Sequence, residues 1–93
     1  MEKKNGLILG INARYWFKDD LYHSIEGRPA IEWWHENPNE INKQWYFEGL
    51  LHRENGPASE HANGMKSYWY YGERIDCKTT EEFLKIIKLK VFW

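Results

Sequence analysis

Ninety-three residues suffice for one domain and leave no room for a second core. With 13 Lys+Arg against 14 Asp+Glu, the formal net charge is −1 and the pI near 6.4; this excludes both the cationic field of a charge-driven nucleic-acid binder and the anionic surplus of a DNA mimic. Mean hydropathy is −0.82, yet 17% of the residues are aromatic (six Trp, six Tyr, four Phe), so the chain is neither disordered nor membranous.

The first residues, Met1 to Gly6, are charged and polar. The apolar run behind them, Leu7-Ile8-Leu9-Gly10-Ile11, is too short for a signal peptide and lacks a small-residue cleavage site. No stretch approaches the ~18 apolar residues of a membrane span. The lone Cys77 allows no internal disulfide, which suits a reducing compartment. A cytoplasmic protein with no membrane partner is the expectation.

Self-similarity organises the middle of the chain. Trp16-Phe17-Lys18-Asp19-Asp20-Leu21-Tyr22-His23 matches Trp45-Tyr46-Phe47-Glu48-Gly49-Leu50-Leu51-His52 at an offset of 29 residues. Ile25-Glu26-Gly27-Arg28-Pro29-Ala30 matches Glu54-Asn55-Gly56-Pro57-Ala58 with one insertion, and a truncated third copy begins near Tyr68, offset about 23 from the second. Each copy carries hairpin chemistry. Asp19-Asp20, Glu48-Gly49 and Tyr71-Gly72 lie between short aromatic and apolar runs, and Glu26-Gly27, Asn55-Gly56 and Asn63-Gly64 supply positive-φ positions for tight turns. The runs Tyr15–Lys18, Ala30–His35, Gln44–Phe47 and Met65–Tyr71 read as strands. Repeat hairpins over 12–76 thus predict an antiparallel meander of about seven short strands.

The tail is helical. Thr79 as N-cap and Glu82 three residues on form a capping box. Phe83, Leu84, Ile87 and Val91 follow at helical spacing with Ile86 beside them, while Lys85, Lys88 and Lys90 suit the negative end of the dipole. The spacing predicts a helix over 80–90 whose apolar stripe lies on the sheet, with Val91-Phe92-Trp93 packed as well. The fold class is α+β.

Leu51-His52-Arg53-Glu54-Asn55-Gly56-Pro57-Ala58, then Asn63-Gly64, then Tyr68-Trp69-Tyr70-Tyr71-Gly72, resembles the His-Arg-x-x-Gly-Pro-Ala repeat of phage and bacterial proteins, a variant of the MORN repeat. The first unit departs from it, with Ser24 at the Arg position and Arg28 inserted before Pro29. The resemblance covers roughly residues 14–76, and the tail is similar to the Thr-x-Glu-Glu-Phe-Leu ending of phage relatives. It implies stacked aromatic hairpins in a phage-type accessory protein of the bacterial cytoplasm, one that binds and disables a host defence protein; anti-CRISPR action is one candidate.

Catalytic and metal chemistry find little support. The four histidines are spaced by 12, 17 and 9 residues, unlike a zinc site, and Ser24, Ser59 and Ser67 lack a nucleophile context. His23 and His52 share one repeat position, where an imidazole hydrogen-bonded to a neighbouring turn would fix the hairpin stack. Cys77, just before the helix, could be activated by the helix N-terminus but reads better as packed. No cofactor and no metal are expected.

Neighbouring residues on a strand point to opposite faces, so Tyr15 and Phe17 oppose Trp16, Trp45 and Phe47 oppose Tyr46, and Trp69 and Tyr71 oppose Tyr68 and Tyr70. A helix of roughly 18 Å cannot cover two faces of a sheet roughly 30 Å across. Rings left exposed would anchor a protein partner, with Trp33, Trp34, Tyr46, Arg53 and Tyr70 as the candidate contacts. Two other readings stand beside this. Rings helped by Arg14, Lys18, Lys43, Arg53, Lys66 and Arg74 would stack single-stranded nucleic acid, against which the net charge weighs. Leftover edges or rings would drive homo-oligomer formation.

Overall fold

Three two-residue tips organise the hairpins. At Asp19-Asp20 (φ 49° and 67°), Glu48-Gly49 (45° and 87°) and Tyr71-Gly72 (46° and 83°) both residues take positive φ. This is the type I′ arrangement, whose twist matches that of the strands it joins. In the computed structural model, which describes residues 2–91, the tips close β2 (Ala13–Lys18) onto β3 (Leu21–Tyr22), β6 (Tyr46–Phe47) onto β7 (Leu50–Leu51), and β9 (Lys66–Tyr70) onto β10 (Glu73–Ile75). The other strands are β1 (Gly6–Gly10), β4 (Ile31–Trp33), β5 (Asn42–Gln44) and β8 (Ser59–Glu60).

All pairings are antiparallel, in the order β1-β2-β4-β5-β8-β9-β10, with β3 also on β2 and with β6-β7 as a separate pair. The described residues therefore hold ten strands, eight in one sheet, where the sequence suggested about seven. Three causes account for the difference. β2 is shared, its first half pairing β4 and its second half β3. Trp45 interrupts what would be one strand, leaving β5 and β6 either side of it. Finally, β1 forms from a Gly-bounded run with no polar alternation, which offers no strand period to read.

Two local readings change. The run Ala30–His35 is a strand only over Ile31–Trp33, although the Trp34 N–H still donates to Asn12 O, its partner in the β2 register, at 3.0 Å. Asn55-Gly56 does not take positive φ, unlike Glu26-Gly27 and Gly64. Gly56 gives room to Arg53 instead: a Cβ there would sit 3.1 Å from the guanidinium, which would have to shift.

The helix α1 (Thr80–Val91) starts as its caps dictate. Thr79 Oγ1 accepts the Glu82 N–H at 3.1 Å, and Glu82 reaches back to the Lys78 N–H at 2.9 Å, one residue before the expected partner. Phe83 is fully buried against Tyr68 and Ile75, with Tyr70, Cys77, Ile86 and Ile87 around them. The Tyr68 and Thr80 hydroxyls share a hydrogen bond of 3.1 Å. The buried stripe is thus Phe83-Ile86-Ile87, while Leu84 stays 39% exposed. The packing expected of the Val91, Phe92 and Trp93 side chains falls outside the described residues. No helix is long and apolar enough to cross a membrane among the described residues.

Candidate functional site

Cross-strand partners share a face, so the register sorts the side chains. One row runs Ile8–Tyr15–Ile31–Gln44–Ser59–Ser67 across six strands. Beside it toward the tips lie Phe17, Tyr22, Tyr46, Leu51 and Trp69, two residues along the same strands or opposite them. On the other side of the row lie Ala13, Trp33 and Asn42. The helix packs on Tyr68 and Ile75, which belong to the opposite face. The core cluster under it contains no residue of the first face, where Ala13, Asn42 and Ser59 are buried and the rings half-buried.

On that face the rings touch. Phe17 and Tyr22 stack with centroids 5.0 Å apart, Tyr15 and Tyr22 at 6.1 Å, and Tyr22 meets Tyr46 at 5.4 Å. All four, with Trp69, are half-buried. Their polar atoms are steadied locally: Tyr46 donates its hydroxyl to Gln44 Oε1 at 3.2 Å, and Trp69 Nε1 donates to Ser67 Oγ at 2.8 Å. Burial, and next the Tyr22 phenol, raise the Tyr46 pKa, so Tyr46 remains a neutral donor.

The opposite face carries charge. Leu9, Arg14, Glu32, Lys43, Glu60 and Lys66 occupy one row, with signs alternating from Arg14 onward. Arg14 pairs with Glu32 at 3.6 Å, Lys18 with Glu48 at 3.4 Å and Arg53 with Glu60 at 3.6 Å. Of the six cations that base stacking would use, only Arg74, opposite Trp69, shares the ring face. Lys4 adds its ammonium 5.5 Å from the Phe17 centroid. Rings and most cations are thus on opposite sides of one sheet.

The five contact residues read from the sequence divide. Trp33 is on the ring face by register, and Tyr46 joins it from the separate β6-β7 pair through its contacts with Tyr22 and Gln44. Trp34 lies beyond the end of β4 with the Arg14 guanidinium 5.5 Å from its ring. Tyr70 packs beside the helix core and against His52 at 5.1 Å. Arg53 is committed internally: its guanidinium lies 3.8 Å from the Trp45 centroid and donates to Pro57 O at 3.1 Å. Tyr15, Phe17, Tyr22 and Trp69 were not singled out. The offset of 29, which aligns Phe17 with Tyr46, carried that signal.

The histidines serve the tips. His52 Nδ1 accepts the Tyr71 N–H at 2.8 Å and His23 Nδ1 the Glu48 N–H at 3.1 Å. The second N–H of each tip goes to the residue before the histidine: Gly49 to Tyr22 O and Gly72 to Leu51 O, both 2.8 Å. At the first tip Asn5 Oδ1 and Lys4 O take these two roles, each at 3.0 Å from Asp19 N and Asp20 N. At the corresponding place in the third hairpin stands Ile75, buried under the helix where no further tip follows. Both histidines pack on Phe47, at 5.2 and 6.1 Å, and no set of three metal-ligating residues forms among the described residues.

Tyr71 belongs to a tip rather than to a strand face, and stacks on His52 at 3.9 Å. A cleft of about 610 Å³ lies between the tips and the helix, lined by Tyr46, Phe47, His52, Tyr71, Leu84 and Ile87 among others, so Tyr46 borders both this cleft and the ring face. Cys77 is packed: burial first, then Glu82 and Asp76, raises its thiol pKa, and its Sγ lies 3.7 Å from Ile75 O. Comparison of the chain with protein-family models, curated proteins and solved structures finds no match.

Proposed function

We propose that this protein is a non-catalytic binding module whose ring face docks a protein partner and works by occlusion. The observation that carries this reading is the contiguous row of half-buried rings, Phe17–Tyr22–Tyr46 with Tyr15 beside it, on the face opposite the helix core. Tyr and Trp anchor protein interfaces because they offer large, stiff apolar area with a polar tip. The surroundings fit that use, since Gln44 and Ser67 give a neutral hydrogen-bonding rim to a largely uncharged face. Single-stranded nucleic acid would need cations beside the rings; of the six it would use, Arg14, Lys18 and Arg53 are paired with carboxylates, and Lys43 and Lys66 lie on the charged face.

The recurring tip hydrogen bonds support reading the chain as stacked repeat hairpins of the MORN-like kind, closed by β1 at one end and α1 at the other. A phage-type inhibitor of a host defence protein, acting in the bacterial cytoplasm, is the setting we propose. The test is affinity capture from a bacterial host, followed by binding measurements on the captured protein. Tyr22→Ala with Tyr46→Ala should weaken binding at least tenfold, while Lys43→Ala with Lys66→Ala should leave it unchanged. Binding that tolerates the ring variants would refute the assignment. So would tight binding to a single-stranded oligonucleotide that collapses with rising salt.

A further inference from the structure

The two ends of the main sheet differ. β10 (Glu73–Ile75) ends it with exposed Glu73 and Arg74, Asp76 following, and Glu73 held by Lys90 at 2.9 Å. Charges of this kind blunt an edge against further pairing. β1 ends it at the other side with Gly6-Leu7-Ile8-Leu9-Gly10 and no charge. Leu7 is 45%, Leu9 70% and the following Ile11 96% exposed. No strand among the described residues pairs with the free side of β1.

The backbone polarity of that side follows from β2. Trp16 donates its N–H to Ala30 O at 2.7 Å and accepts the His23 N–H at 3.1 Å, so both its groups point away from β1. In an antiparallel ladder, a residue whose groups point away faces a partner whose groups also point away. Leu7 is opposite Trp16, and Leu9 is two residues further on. The N–H and C=O of Leu7 and Leu9 therefore face outward, unpaired.

We infer that β1 is a self-association strand, pairing antiparallel with β1 of a second copy of this chain about a two-fold axis. One register satisfies everything at once. Leu7 faces the second copy's Leu9 as a hydrogen-bonded pair, and Ile8 meets its own equivalent at the axis. Gly6 then faces the second Gly10. The same residues provide the unpaired groups and the matching apolar side chains, so the strand is complementary to itself. Pairing β1 with β10 of another copy would instead build an open fibre, and the charges of β10 oppose it. Because Ile8 continues the ring-face row through Tyr15, the dimer also joins two ring faces into one surface. The contact is small, so the dimer is reversible and concentration-dependent.

Sedimentation of the full chain from ~10 µM to ~1 mM should show mass rising toward twice the 11.3 kDa of one chain. Leu9→Pro deletes an outward N–H that β2 does not use, and Leu9→Lys places a charge at each end of the paired stretch. Each should leave the chain folded and monomeric over that range, whereas Tyr22→Ala should still dimerise. In a Cys77→Ser background, Ile8→Cys should form a disulfide-linked dimer under mild oxidation. At the axis the two Cα atoms would be about 4.5 Å apart. Leu9→Cys, which faces position 7 of the second copy, should not cross-link. A monomer at the highest concentration overturns the inference, as does a dimer that survives both Leu9 variants or one cross-linked through position 9 in preference to position 8.

Discussion

His52 accepts the Tyr71 N–H on its Nδ1 at 2.8 Å while its ring stacks on the Tyr71 ring at 3.9 Å. Tyr71 holds positive φ, which a non-glycine residue adopts at a cost of about 1–2 kcal/mol. The imidazole offsets that cost by satisfying the strained residue's N–H and covering its side chain. The bond also determines the tautomer. Nδ1 must be bare, so the proton sits on Nε2, facing Glu54 at 3.5 Å.

Removal of the acceptor tests this. His52→Ala leaves the Tyr71 N–H without its partner and should cost about 1–3 kcal/mol in chemical denaturation. His52→Asn should retain more than half of that, because Asn5 Oδ1 already serves the equivalent N–H of Asp19 at 3.0 Å. Equal losses for Ala and Asn would mean that ring packing, not the hydrogen bond, is the larger contribution.

Acid should loosen the same tip. Burial lowers the His52 pKa below the usual 6.5, with Glu54 pulling the other way by charge and hydrogen bonding. The unfolded chain therefore binds this proton more readily than the folded one, so stability is fully present above pH ~6.5 and falls as pH drops toward the lowered folded value. Denaturation midpoints at a series of pH values should show the decline in the wild type and a shallower one in His52→Asn. A midpoint that rises on acidification would contradict the neutral imidazole.

Gly72 and Gly64 separate backbone strain from crowding. Both hold positive φ, 83° and 93°, but a Cβ at Gly72 would lie 3.3 Å from Leu50 Cδ2, whereas at Gly64 nothing is within 4 Å. Gly64→Ala should cost about 1 kcal/mol by conformation alone. Gly72→Ala should cost more, and the excess should shrink in a Leu50→Ala background. Thermal melts of the wild type and the four variants measure this, and equal costs at both glycines would dismiss the crowding argument.

Arg53 gives the fourth expectation. Its guanidinium spans the Trp45 ring, Pro57 O and Glu60, closing the loop over Gly56. Arg53→Ala should destabilise the fold by about 1–3 kcal/mol. Arg53→Lys should recover little, since an ammonium cannot lie flat on the ring while donating in plane. If Arg53→Ala unfolded at the wild-type midpoint but lost partner binding, Arg53 would be a surface anchor after all.

Amino-acid order alone determined the parts of this protein that depend on near neighbours. Paired turn residues at 19-20, 48-49 and 71-72 place the tips, Thr79 and Glu82 start the helix, and the offset of 29 puts His23 and His52 at equivalent places. Turn φ preferences, caps and short-range hydrogen bonds are local, so they can be read along the chain. Tertiary structure decided the rest. Whether Tyr46 faces solvent or helix depends on strand register and on where Phe83 docks, and those contacts join residues far apart in sequence. Arg53 looked like a surface cation until the Trp45 ring and the Gly56 loop closed on it. The count of sixteen aromatics could not say which were core. Alternation places rings on both faces, and only the docking of α1 on Tyr68 and Ile75 distinguishes one face from the other.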